Sequence, residues 1–98
     1  MASGSPDWTS RAATPNLWEE VNGTVNTVGV IITFSGTASS IYIENTGDTN
    51  NLLYSLDAGV SFGILVPGQN KSIDVSQASV ILVSAAATTD YVVEITYG

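Results

Sequence analysis

From Thr24 to Tyr97 the apolar residues recur at every second position, in short runs broken by Gly, Asn, Asp and Pro. A period of two is the pattern of half-buried strands, and no stretch of similar length carries a helical period. The first run, Thr24 to Phe34, places Val28, Val30, Ile32 and Phe34 on one face. Further strands are expected at Ser39–Glu44, Asn51–Asp57, Ser61–Val66, Lys71–Val75, Ala78–Ser84 and Tyr91–Tyr97. The continuous Val80-Ile81-Leu82-Val83 implies burial on both faces. About seven short strands at spacings near ten residues predict a small antiparallel β-sandwich, because two packed sheets bury both apolar faces.

A chain of 98 residues has room for one core. Its hydrophobic fraction is 44% and its charged fraction only 11%, against about 25% charged in an ordinary soluble domain. Ser, Thr, Asn and Gly must therefore make much of the surface, which suits close packing against a neighbour. Such a sandwich also has edge strands that few charges protect, and oligomer contacts or a docked arm would cover them. Lys71 and Asp74, beside the Pro67-Gly68 turn, are expected to act as solubilising edge charges.

Nine acidic residues against Arg11 and Lys71 give a net charge of -7. Nucleic acid and anionic membranes are poor partners for a chain without clustered basic residues. With no cysteine and no histidine, disulfides, thiol chemistry, zinc sites of the usual kind and Ser-His or Cys-His nucleophiles are excluded. Met1 to Pro6 lacks the basic and apolar regions of an export signal, and no run is long enough for a membrane span, so synthesis in the cytoplasm is expected.

Residues 1–23 differ in character from 24–98 and are expected to form an N-terminal arm beside the sandwich domain. The arm holds Pro6, Pro15, Trp8, Trp18 and Arg11. Pro15 to Val21 is compatible with one helical turn, too short to stand without packing through Leu17, Trp18 and Val21. The tryptophans either cap the chain's own sandwich or anchor in a neighbouring subunit, since Trp is enriched at interface hot spots. The candidate partner-binding residues are Trp8, Arg11, Leu17, Trp18 and Val21.

The run Asn51-Leu52-Leu53-Tyr54-Ser55-Leu56-Asp57-Ala58-Gly59-Val60-Ser61-Phe62, with Val66-Pro67-Gly68, Ile73-Asp74-Val75, Ile81-Leu82-Val83 and Tyr91-Val92-Val93-Glu94-Ile95, resembles the small β-sandwich virion proteins of tailed bacteriophages. Within that group it looks like a capsid decoration, or cement, protein. The resemblance covers roughly residues 41 to 98 and rests on a cadence of hairpin, Pro-Gly turn and short strands. It implies a non-enzymatic structural protein, often a homotrimer, that sits on the capsid surface of the virion and ties together the major capsid protein lattice. A head-fibre or tail component that recognises host glycans or another virion protein is the alternative.

No catalytic residues, cofactor or metal are expected. Asn45, Asp48, Asn50 and Asp57 could supply calcium ligands, but their spacing departs from the regular calcium loop and these residue types also make sharp turns. Glu44, Asp57, Asp74 and Glu94 are the carboxylates on or beside strands, and so short a chain lacks the insertions that wall a cleft. Tyr42, Tyr54, Trp8 and Trp18 are candidate platforms for stacking on a sugar.

Overall fold

The computed structural model describes residues 18–97. Among these there is no helix, and six strands form one antiparallel sheet in the order β1-β6-β2-β5-β3-β4. They are β1 (Trp18–Asn26), β2 (Val30–Asn45), β3 (Leu52–Ser55), β4 (Gly63–Leu65), β5 (Asn70–Ser84) and β6 (Thr88–Tyr97).

The all-β antiparallel architecture follows from the two-residue period, but the strand count is six rather than about seven. Two expected breaks are bends inside long strands. Register shifts interrupt the β2–β5 pairing between Thr33 and Ala38 and again between Ala38 and Ser40. Before them the inward residues of β2 are Ile32 and Phe34; after them they are Ile41, Ile43 and Asn45. The alternation slips by one residue, as a β-bulge requires. In β5 the inward set likewise changes from Ile73 and Val75 to Val80, Leu82 and Ser84. A third difference lies at Thr27–Gly29, where a turn divides the expected Thr24–Phe34 strand. The Asn26 side-chain oxygen accepts the backbone N–H groups of Val28 (3.0 Å) and Gly29 (3.2 Å), and Gly29 adopts φ +97°. Val28 is accordingly 88% exposed rather than part of an inward row.

The long strands β2 and β5 carry the sheet over on itself into two layers. One layer holds β1, β6, the second half of β2 and the first half of β5. The other holds the first half of β2, the second half of β5, β3 and β4. Their inward residues form a single buried cluster that includes Val25, Ile41, Ile43, Val93 and Ile95 from the first and Ile32, Leu52, Leu65 and Leu82 from the second. Each buried Ile, Leu or Val contributes about 1.5–3 kcal/mol relative to exposure.

The expected arm boundary after Gly23 falls inside β1, which pairs with β6 from Trp18↔Thr96 to Asn26↔Thr88. Trp18 to Val21 is therefore extended strand, not part of a helical turn. The rest of the expected arm lies outside the described residues.

Candidate functional site

Strand alternation gives each layer an outward face, and the two faces differ in chemistry. On the first layer the register sets Glu20, Glu94, Tyr42 and Ser72 side by side, with Asn22, Val92, Glu44 and Asn70 in the next row and Trp18, Thr96, Ser40 and Asp74 in a third. Tyr42 donates its hydroxyl proton to Glu44 (2.7 Å), and Thr24 donates to Asp90 (2.6 Å). This face is acidic. Glu44, Asp74 and Glu94 belong to it, whereas Asp57 belongs to the other layer.

The outward face of the second layer carries aliphatic side chains across four strands. Ile64 of β4 lies opposite Leu53 of β3, which lies opposite Val83 of β5; one pair along, Ile81 of β5 lies opposite Ile31 of β2. Ile31 is 64% exposed and Ile64 59%, with Phe62 and Val66 exposed two residues to either side of Ile64. A contiguous apolar face on the solvent side of a small domain marks an interaction site more often than chance.

At one end of that face the β3–β4 connection folds over the sheet. The Asp57 carboxylate accepts the Ser55 hydroxyl (2.7 Å), the Ser61 hydroxyl (2.5 Å) and the Ser61 backbone N–H (2.9 Å). These bonds, those from Ser61 foremost, hold its carboxyl down at about 2. The turn passes through Ala58 at φ +61° and Gly59 at φ +89°. Beside it lies an open hollow of about 420 Å³ lined by Ile31, Leu56 and Ile81 together with Ser55, Asp57, Ala58, Gln77 and Ser79.

The turn residues considered as calcium ligands serve as structure. Asn45 is fully buried: its amide donates to the carbonyls of Leu65 and Asn50, both at 2.9 Å, and its oxygen accepts Thr89 (2.7 Å) and the Gly47 N–H (3.1 Å). Asn50 donates to the Thr88 carbonyl (2.9 Å), and Asp48 accepts from Thr49 (3.0 Å). Among the described residues no group of three or more His, Cys, Asp or Glu is placed to hold a metal ion. No helix of the described residues is long and apolar enough to cross a membrane.

Of the candidate partner residues, Trp8, Arg11 and Leu17 lie outside the described residues. Trp18 opens β1 and is 61% exposed, while Val21 turns inward and packs against the chain's own core. Beside Trp18, Glu19 accepts the Tyr97 hydroxyl (2.5 Å) and the Ser35 hydroxyl (2.7 Å), and the Tyr97 oxygen accepts the Ser35 N–H (2.9 Å). This triad fastens β1 to the bend of β2. Tyr54 turns inward, its ring lying where a Cβ on Gly63 would be. The apolar outward face is signalled in sequence by alternating Val60, Phe62, Ile64 and Val66 around the inward Leu65.

No family model and no curated protein matches this sequence. In fold the chain is similar to one from Bacillus endospore appendages, described as forming a novel family of disulfide-linked pili. The match has 17% identity and a TM-score of 0.50, and covers 92% of this chain and 100% of the other.

Proposed function

We propose that this chain is a non-enzymatic structural subunit of a protein assembly, of the capsid-decoration kind that its sequence resembles. The observation that carries the proposal is the contrast between the two outward faces, one acidic and one aliphatic. A body so divided turns one side to water and the other to protein. In this role Trp8, Arg11 and Leu17, with Trp18 at the rim of the acidic face, make the contact with the major capsid protein or another virion protein, while the rest of that face meets water and copies of the chain associate on the capsid surface as a homo-oligomer. Fibre subunit is the second reading, supported by the similarity in fold to a pilus chain. Any such fibre would have to hold without disulfides, since the chain has no cysteine.

Immunogold electron microscopy, with antibody raised against the full chain and cultures that produce it, tests both. Gold on phage shells is the expected result. Gold along fibres or filaments favours the second reading, and label confined to soluble material overturns both.

A further inference from the structure

The aliphatic face has an occupant that its chemistry selects. We infer that it packs against the same face of another copy of this chain, a step that rests on reading the protein as an assembly subunit. The charges decide among candidates. Of the eight acidic residues within the described range, all but Asp57 belong to the first layer or to the turns at its ends. A basic partner would be drawn to that acidic layer and not to Ile31, Leu53, Val83 and Ile64. A second copy brings to the aliphatic face a single carboxylate, Asp57, which stays ionised at the edge of the face and keeps its hydrogen bonds from Ser55 and Ser61.

Repulsion from the net charge of -7 does not oppose this packing. With aliphatic faces together, the acidic layers point away from each other across two intervening layers. Packed sheets are about 10 Å apart, so the acidic layers are separated by about 30 Å, several times the roughly 8 Å screening length at physiological salt. Shape agrees as well. The face carries both a ridge, Ile64 flanked by Phe62 and Val66, and a hollow beside Ile31 and Ile81. Packed face to face about a two-fold axis, the ridge of each copy meets the other's face, an isologous contact that closes at two copies.

The test is the solution mass of the full chain by light scattering over a range of concentrations, beside the full-length variants Ile31→Lys and Ile64→Lys. Both side chains are more than half exposed, so their loss leaves the core untouched, and circular dichroism checks the fold. The wild type is expected at a multiple of the single-chain mass, each variant at the single-chain mass with an unchanged spectrum, and Glu94→Lys on the acidic face at the wild-type mass. A wild type at the single-chain mass throughout overturns the inference, as does an oligomer that both lysine variants leave intact. If the wild type is single and Trp8→Ser in the full chain makes it associate, the face is covered by the chain's own N-terminal segment and the inference fails. Gold on shells together with a monomeric chain would sink this inference while leaving the structural role standing.

Discussion

The side-chain amide of Asn45 donates a 2.9 Å hydrogen bond to the carbonyl of Leu65, although β5 and β3 lie between their strands in the sheet. Three strand spacings in a flat sheet would hold them about 14 Å apart. The bond therefore records the folding of the sheet into two layers, and the 3.3 Å approach of the Thr89 hydroxyl to the Asn50 carbonyl crosses the same gap.

Asn45 is accordingly the polar residue whose loss should cost most. Asn45→Ala strands the buried Leu65 carbonyl and takes an acceptor from Thr89 and the Gly47 N–H, while the Asn50 carbonyl keeps the Thr89 hydroxyl. At roughly 1–3 kcal/mol for each stranded group, a loss of about 3 kcal/mol is expected in urea unfolding. Asn45→Asp should be worse, because a carboxylate would face those carbonyls without a proton to give. Equal stability of the Asn45→Asp variant and the wild type would contradict this account.

A methyl group is unfavourable at two turns of positive φ, so adding one at Gly29 and removing one at Ala58 should change stability in opposite directions. Gly29 has φ +97°, and a Cβ there would lie 2.9 Å from the Leu82 carbonyl oxygen, so Gly29→Ala should destabilise by about 2 kcal/mol. Ala58 sits at φ +61° with a side chain, so Ala58→Gly should stabilise by about 0.5 kcal/mol, the relief of left-handed strain exceeding the added freedom of the unfolded chain. Thermal melting of the pair checks both signs.

Acid should unfold the protein in part through Asp57 and Glu19. Asp57 titrates at about 2 in the folded chain against an ordinary 3.8, so its contribution is complete above 3.8 and disappears as pH falls through about 2. Glu19 is also held low, by the Tyr97 and then the Ser35 hydroxyl, and acts in the same direction. Melting temperature should be level from neutral pH down to the ordinary carboxylate range and fall below it, and Asp57→Asn should flatten part of that fall.

Base should loosen the same triad from its other side. Burial first, and then the bond to Glu19, raises the Tyr97 phenol above its ordinary 10.0. Its contribution is whole below 10.0 and is lost as pH rises through the raised value. Tyr97→Phe should remove this share of the alkaline limb, leaving that of Tyr42, whose phenol the bond to Glu44 also raises. It should also return Glu19 toward the ordinary carboxylate range, which a carbon-detected titration of Glu19 reads directly. An unmoved Glu19 would show that Ser35 alone holds it.

These relationships are unequally legible in the sequence. Ile41/Ile43, Leu52 and Val93/Ile95 are legible as core because strict alternation marks them as inward, whereas the continuous Val80-Ile81-Leu82-Val83, expected to be buried on both faces, buries Val80 and Leu82 and turns Ile81 and Val83 to the outward face. The bends in β2 and β5 look like gaps between strands, since a bulge breaks the phase of the alternation just as a turn does. The Asn26-to-Gly29 turn carries its own signal, an Asn three residues before a Gly, but β-branched neighbours on both sides mask it. Glu19 and Tyr97 are 78 residues apart. Only the pairing of β1 with β6 brings them together, and no local pattern encodes that.

The pairing of Trp18 with Thr96 sets the two ends of the described fold on adjacent strands, with Cα atoms about 5 Å apart. Anything attached at either end thus leaves from the same corner of the molecule. Spliced into a tight loop of a host protein through residues 18 and 97, the body should therefore be accommodated without stretching that loop.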